Sequence, residues 1–348
     1  MGDAGARSAR DRTLILHIGL HKTATTYLQN AWGVHRYDLL REGVLYPLTG
    51  LVEGGASTRE GAQSGHALFS RPGDKRSLVT DLLTELPDTA STVLLSSEDF
   101  SLPRAEPTPE QLLARFAAFG TVKVVLVLRR QDRWIESWYK QLVDQFGNRE
   151  TRSLDEFLRD EGPRLLDYHA RFLPWRELVG PDAFHVISYD DVPDGAAIGR
   201  RVLELAGVSA GLVDEVVATP VPRYDSVRAV DTLGLRILNA HRFKSRAERN
   251  QVARRVYEAA PAGDLQLMTP EMRAGIEEVC APVNERIEAE WFTEPVPGLR
   301  FGDRSEPPAV APPSGQEVVD YVDHVLSLCR AARERAEAAA AAEAGQDS

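Results

Sequence analysis

The sequence contains few cysteines and no long apolar run. Its only cysteines, Cys280 and Cys329, provide neither a zinc-ligand spacing nor a disulfide framework, which favours a reduced, cytoplasmic setting. No stretch approaches the ~18 apolar residues that a membrane-spanning helix needs. The N-terminal MGDAGARSARDR also lacks the apolar segment of a signal peptide. The net charge of -11 argues against a nucleic-acid partner, because a phosphate backbone binds to basic surfaces.

Lysine is scarce too, and one of its few positions is informative. The lysines stand at positions 22, 75, 123, 140 and 244. Lys22 lies in LILHIGLHKTATTYLQ (14–29), where an apolar run reaches Gly19, a lysine and three threonines follow, and a helical pattern begins. Backbone N–H groups at a helix start carry partial positive charge, and hydroxyl and ammonium groups add donors. The stretch therefore predicts an anion-binding turn between a buried strand and a helix.

Four short apolar runs predict strands, and helical patterns separate them. The runs are Thr13–Ile18, Thr92–Ser96, Val122–Leu128 and Phe184–Ser188. The third is a near-continuous series of valine and leucine, as in a parallel strand buried on both faces. From residue 197 onward the pattern is almost wholly helical. These features predict an α/β fold with a central parallel β-sheet, flanking helices and a helical C-terminal half.

The expected organisation has four parts. A disordered leader is predicted over residues 1–12 and a single α/β domain over 13–293, since a chain of 348 residues is long enough for one large core. A Pro/Gly-rich linker is predicted over 294–315, and a C-terminal helix with a frayed, Ala-rich tail over 316–348. The role of that helix and the oligomeric state stay open.

Polar residues follow three of the predicted strands. Lys22 comes after the first strand, Glu98 after the second and Arg129 after the third. The carboxyl ends of parallel strands meet at one edge of a sheet, where ligands of such folds bind. We therefore expect these three side chains to converge on one site.

A nucleotide triphosphate is one candidate for the anion. The Walker pattern G-x-x-x-x-G-K-[ST] is not met, because His21 precedes Lys22 and the loop is short and poor in glycine. Arg129 and Arg130 also stand where a nucleotide hydrolase would need a magnesium-binding carboxylate, although Glu98 could take that role. A magnesium-dependent, kinase-like P-loop enzyme remains one alternative, and a nucleotide-binding protein without turnover is another.

A phosphosulfate is the other candidate, because HKTATTY resembles the 5′-phosphosulfate loop of sulfotransferases that use 3′-phosphoadenosine 5′-phosphosulfate (PAPS). The longer GLHKTATTYLQ is similar to a form found in bacterial members. The residues of this loop are His21, Lys22, Thr23, Ala24, Thr25 and Thr26. Ala24 stands where glycine is usual, and a methyl group is expected to cost little in a right-handed helix start. The second family motif, an arginine at a strand end with a serine eight residues later, is matched by Arg129 and Ser137 in RRQDRWIES.

The resemblance implies a P-loop-related sulfotransferase fold. It also implies transfer of a sulfuryl group from PAPS to a hydroxyl or amine of a small-molecule or carbohydrate acceptor, with no metal. Lys22 would assist the leaving oxygen, the threonines and loop amides would hold the 5′-phosphate, and Arg129 and Ser137 would bind the 3′-phosphate. The family places a general base near the end of TVLLSSED, where Glu98 stands. His66, on the long loop over residues 49–78, is the rival base.

Several nearby residues have a simpler structural interpretation. His17 lies in a buried strand pattern and is expected to be a core histidine. Trp134 and Trp138 are expected to pack along a helix. Arg130, rather than Arg129, is the expected ion-pair partner of Asp132.

Overall fold

The computed structural model describes residues 8–52, 65–221, 227–243, 245–292 and 310–346. Within these ranges one five-stranded sheet has the strand order β2-β3-β1-β4-β5, and every neighbouring pair is parallel. The strands are β1 (Thr13–His17), β2 (Val44–Leu45), β3 (Thr92–Ser96), β4 (Thr121–Leu128) and β5 (Phe184–Ser188). The predicted α/β class with a parallel central sheet is confirmed, and β1 lies in its middle.

Helices cover both faces of the sheet and form the second half of the chain. They are α1 (Thr25–Val34), α2 (Arg36–Arg41), α3 (Arg76–Glu85), α4 (Pro109–Ala114), α5 (Gln131–Asp144), α6 (Leu154–Leu166), α7 (Tyr168–Val179), α8 (Gly195–Leu205), α9 (Ala210–Val217), α10 (Ala229–Asn239), α11 (Arg246–Ala259), α12 (Pro270–Trp291) and α13 (Gly315–Gln346). Among the described residues, no helix combines the length and the apolar character that crossing a membrane would require.

Alternating side chains of the central strands enter two separate cores. On β4, Val124 and Leu126 pack into one core, whereas Val125 and Val127 pack into the other. This alternation follows from the period of two along a strand. Because both faces are covered, the strand has to be apolar at every position, which explains its continuous run of valine and leucine.

Two short elements were missed by the sequence patterns. β2 has only two residues, too few for a periodic signal, and α9 is an eight-residue helix inside a stretch without a distinct predicted boundary.

The predicted leader is structured where it can be described. Ala9–Asp11 form a 3₁₀ turn that Ser8 caps, and the buried Arg12 side chain donates to the carbonyls of Pro87 (2.6 Å) and Ala90 (3.0 Å). Residues 8–12 are therefore not a disordered leader, because these hydrogen bonds tie Arg12 to the segment before β3. Residues 1–7, and residues 294–309 of the predicted linker, lie outside the described residues.

The C-terminal helix α13 packs on α10 and α11. Its buried side chains are Tyr321, Val325, Cys329 and Ala332. The approach to α10 is close at Gly234, where an added Cβ would overlap the Tyr321 hydroxyl and lie 2.7 Å from Val256 Cγ1. α13 is therefore part of the helical half of the molecule.

Gly234→Ala should lower the free energy of unfolding by about 1–2 kcal/mol, because overpacking at the α10–α13 contact outweighs the better helix propensity of alanine. Gly275→Ala on α12 is the matched control, since a Cβ there meets nothing within 4 Å. The control should raise stability by about 0.5–1 kcal/mol. Chemical denaturation measures both, and an equal gain in the two variants would contradict the close α10–α13 contact.

Candidate active site

The loops after the central strands meet at one edge of the sheet. The ladder of β1 continues past its last residue, because the amide of Leu20 donates to Val127 O at 2.9 Å. On the other side, Ser97 N donates to His17 O at 3.0 Å. These bonds place the loop at residues 21–24 between the strand ends that lead to Glu98 and to Arg129.

Two threonines hold the start of this loop through one carbonyl. The hydroxyls of Thr23 and Thr25 both donate to Leu20 O, at 2.6 Å and 3.1 Å, and both side chains are buried. Each hydroxyl has a single proton, so neither can donate to a bound phosphate in this arrangement. These two side chains therefore stabilise the loop and do not make the predicted phosphate contacts in this arrangement. Thr26 is half-buried on the first turn of α1.

The next two carbonyls of the loop are also bound from the protein side. The indole of Trp134 donates to His21 O at 3.1 Å, and Arg129 Nη1 donates to Lys22 O at 3.0 Å. Leu20 O is thus bound by side chains of the loop and of α1, and the next two carbonyls are bound by side chains of α5 and of the end of β4. In a trans peptide the N–H points away from the C=O, so the amides that follow these three carbonyls point away from those donors.

Lys22 and Ala24 have positive φ values, 65° and 62°. Ala24 is the left-handed N-cap of α1, so the expectation of a right-handed helix start at this position is wrong. Left-handed residues that alternate with a right-handed one form a concave set of amides that binds anions. The methyl group of Ala24 fits because α8 presents Gly195, where a Cβ would lie 2.7 Å from it.

Arg129 lies directly beyond β4, beside the loop that it holds. Its guanidinium is 5.1 Å from the centre of the Tyr189 ring, and its Nε is buried without a hydrogen-bond partner in the described part of the chain. The hydroxyl of Ser188, at the end of β5, is likewise buried and unpartnered. An anion near the ends of β4 and β5 would satisfy such groups.

Arg130 has the structural role that the sequence predicted for it. Its guanidinium forms two hydrogen bonds to Asp132, at 2.6 Å and 2.7 Å, and its amide donates to Asp190 Oδ2 at 2.6 Å. Burial opposes the charge of Asp132, but Arg130 and then Arg273 outweigh it and lower the pKa of that carboxyl. Because Asp132 engages Arg130, Arg129 is the arginine of this pair that is available to a ligand at the end of β4.

Ser137 lies on α5, half-buried and about one turn beyond Trp134. Trp134 and Trp138 stack with their ring centres 6.3 Å apart, and the His21 ring is 4.4 Å from that of Trp138. The two tryptophans are buried, as expected for helix packing, and they also support the loop. The role of Ser137 at a 3′-phosphate stays a prediction.

Glu98 lies against the loop from the opposite side. An added Cβ on Gly19 would be 2.9 Å from both Cα and Cβ of Glu98, so glycine, with its φ of 87°, allows this approach. Glu98 is half-buried, and its Oε2 accepts a hydrogen bond from Gln29 Nε2 at 3.1 Å. Gln29 was missed by the sequence reasoning, although it is the last residue of the quoted stretch.

The neighbouring Asp99 is directed to another partner. Its Oδ1 is 3.5 Å from His21 Nε2, and Arg104 is also 3.5 Å away. Burial raises the pKa of Asp99, but the hydrogen bonds and charges of His21 and Arg104 prevail and lower it. Asp99 and Trp138 thus hold the His21 ring in place in the loop.

His66 is fully buried, and both of its ring nitrogens are occupied. Nδ1 accepts from the amide of Ser96 at 3.1 Å, and Nε2 faces the carbonyl of Pro47 at 3.0 Å, which fixes the proton on Nε2. Burial lowers the pKa of His66 to about 4. The structure therefore gives His66 a structural place behind β3 and does not bring its ring into the site.

His17 lies in the core, as expected, with its Nδ1 2.8 Å from Ser96 Oγ. Within the described ranges, no group of three or more His, Cys, Asp or Glu side chains is arranged to hold a metal ion. The chemistry-bearing groups brought together are Lys22, the loop amides, Arg129 and Glu98.

No protein-family model matches this chain, and no curated protein matches it in sequence. A sulfotransferase structure from Alicyclobacillus acidocaldarius is similar to it with 16% identity and a TM-score of 0.45, over 80% of this chain and 95% of that one. The mouse sulfotransferase SULT7A1, in complex with PAP, is similar with 11% identity and a TM-score of 0.38, over 81% of this chain and 87% of that one. Because both TM-scores are below 0.5, the proposed function rests on the residues of this chain alone.

Proposed function

We propose that this chain transfers a sulfuryl group from PAPS to a hydroxyl or amine of a small-molecule or carbohydrate acceptor and releases adenosine 3′,5′-bisphosphate. The observation that carries the proposal is the loop at residues 21–24. The carbonyls of Leu20, His21 and Lys22 are bound by other groups of the protein, which leaves the amides that follow them for an anion. The Lys22 ammonium would add its charge to these amides, beside an arginine at the end of β4 and a carboxylate at the end of β3. This arrangement suits a phosphosulfate that is held without a metal.

The donor half of the proposal uses Lys22, the amides of the loop and Arg129. The first amides of α1 have no partner within the helix and lie at its positive end, where a 5′-phosphate would accept from them. Arg129 Nε, which has no partner in the described residues, would bind the 3′-phosphate, with Ser137 on the following helix as a second donor. Lys22 would stabilise the charge that develops on the leaving phosphate oxygen.

The acceptor half of the proposal uses Glu98 as the general base. The acceptor oxygen or nitrogen attacks the sulfur, the bond from sulfur to the phosphate oxygen breaks, and the acceptor proton passes to the Glu98 carboxylate. A base is required because a hydroxyl has a pKa far above 7. Glu98 is half-buried beside the loop, whereas His66 is buried behind β3, so the geometry supports Glu98.

The proposal is tested by mixing the protein with PAPS labelled in the sulfuryl group and a panel of hydroxyl and amine acceptors. We expect release of adenosine 3′,5′-bisphosphate and labelled product, undiminished by a chelator. Lys22→Ala should lower kcat by about 100-fold or more, as loss of a donor to developing charge does. Lys75→Ala is the control, because Lys75 precedes α3 and its Nζ donates to Pro72 O at 3.1 Å, and this variant should keep wild-type turnover.

Loss of activity on adding the chelator would favour the magnesium-dependent alternative. Binding of the bisphosphate without turnover of any acceptor would favour a non-catalytic nucleotide-binding protein. Wild-type turnover by Lys22→Ala would contradict the role of Lys22.

Arg129→Ala should weaken binding of adenosine 3′,5′-bisphosphate by about 1.5–3 kcal/mol more than it weakens binding of adenosine 5′-monophosphate. Arg129 also holds Lys22 O, so a smaller loss common to both ligands is expected. Calorimetry with the two nucleotides measures the difference. Arg130→Ala is the matched control, because its guanidinium binds Asp132, and it should affect both ligands alike. Equal losses in Arg129→Ala would make Arg129 structural.

Glu98→Gln should keep the fold and donor affinity but lower kcat by about 10²–10⁴-fold, the usual contribution of a general base. His66→Ala should lower the unfolding temperature, because it leaves a cavity and two unpaired backbone groups, yet keep kcat per folded molecule. Steady-state kinetics and thermal unfolding compare the two variants. If Glu98→Gln retains its kcat while His66→Ala loses it, the base is His66.

A further inference from the structure

Gln29 is a fully buried amide on α1 that contacts the proposed base. Its Nε2 donates to Glu98 Oε2 at 3.1 Å and to Ser96 Oγ at 3.3 Å. Both protons of the amide nitrogen are therefore directed at polar groups near the end of β3. A hydrogen bond to a carboxylate favours its ionised form and fixes the direction of its oxygens.

The orientation of this amide is set by the carboxylate. Gln29 Oε1 is buried and has no hydrogen-bond partner in the described part of the chain. The reverse orientation would place Oε1 against Glu98 Oε2, two acceptors facing each other. Gly65 lies against the amide nitrogen, because an added Cβ there would be 2.4 Å from Gln29 Nε2. The amide thus gives up one hydrogen bond to keep its contact with Glu98.

A chain of hydrogen bonds extends from this amide into the core. Ser96 Oγ accepts from Gln29 and lies 2.8 Å from His17 Nδ1. Burial lowers the pKa of His17 to about 4, so above that pH the ring is neutral and Ser96 can donate to Nδ1. The last residues of β1 and β3 therefore hold Gln29, and Gln29 holds Glu98.

We propose that Gln29 is a positioning residue that aims the Glu98 carboxylate at the acceptor, and that it couples this carboxylate to the helix that begins at the donor loop. The role of Gln29 in turnover rests on the proposed function, because Gln29 acts through Glu98 as the base. The contact between Gln29 and the Glu98 carboxylate is independent of the proposed function, because it can be measured without turnover.

The test records the carboxyl-carbon NMR signal of Glu98 at neutral pH in protein labelled at glutamate, with the signal assigned by its loss in Glu98→Gln. Gln29→Met keeps the shape but removes the donor, and it should move this signal, because the carboxylate loses the hydrogen bond from Gln29. Asn239→Ala is the control, since it removes another buried amide, one that donates to Val143 O and Glu150 O. That variant should lose stability without moving the Glu98 signal.

Steady-state kinetics test the positioning role itself. Gln29→Met should lower kcat by about 10- to 100-fold, as a misplaced reacting group does, with donor affinity within about twofold of wild type. Ser96→Ala, which removes the other acceptor of the Gln29 amide, should cause a smaller loss of kcat. In the Glu98→Gln background, Gln29→Met should cause no further loss of kcat.

The outcomes separate the two claims. An unchanged Glu98 NMR signal and an unchanged kcat in Gln29→Met would overturn this inference and leave the proposed function in place. A loss of kcat that persists undiminished in the Glu98→Gln background would also overturn it, because Gln29 would then act elsewhere. A wild-type protein that releases no bisphosphate with any acceptor would instead overturn the proposed function, and with it the role in turnover.

Discussion

The loop after β1 has its shape because its carbonyl oxygens are bound from within the protein. Leu20 O accepts two threonine hydroxyls, and the next two carbonyls accept from Trp134 and Arg129. Each such bond contributes about 0.5–1.5 kcal/mol. Together they offset the roughly 1–2 kcal/mol that each of the two left-handed residues, Lys22 and Ala24, costs relative to the right-handed form. With the carbonyls held inward, the amides are left for an anion.

This loop depends on the packing of the sheet some distance away. Trp134 and Arg129 reach it from the start of α5 and the end of β4, and β4 is held by parallel pairing with β1 and β5 and by cores on both faces. The hydroxyl of Tyr168 on α7 fixes the carbonyl of Arg129 at 3.0 Å. The proposed anion site is therefore positioned by three strands and two helices. A core substitution that moves Trp134 would also move the loop, through the hydrogen bond of its indole.

Much of the fold could be predicted from the sequence, because apolar runs determine which segments are buried. Thr92–Ser96 and Phe184–Ser188 were predicted with their observed bounds, and parallel strands place the residues that follow them at one edge of the sheet. The convergence of the Lys22, Glu98 and Arg129 side chains on one ligand stays a prediction. Hydrogen-bond partners could not be predicted in this way. A threonine beside a lysine is equally suited to a phosphate and to a carbonyl three residues back, and only the backbone path selects the carbonyl. The left-handed conformation of Ala24 was missed for the same reason, since alanine normally starts a helix in the right-handed form.

The two candidate bases show how partners, rather than residue type, decide function. Glu98 and His66 lie near the same strand end, and histidine is by its chemistry the more common general base. His66 is nevertheless committed to two backbone groups, one on each nitrogen, in a site without solvent exposure. Glu98 has an amide donor on one oxygen, and the residue remains partly exposed. A buried ring that is fully bonded resists protonation, whereas a carboxylate that is hydrogen-bonded on one oxygen can accept a proton on the other. The difference in chemistry between the two positions therefore comes from Gln29 and from the backbone of β3.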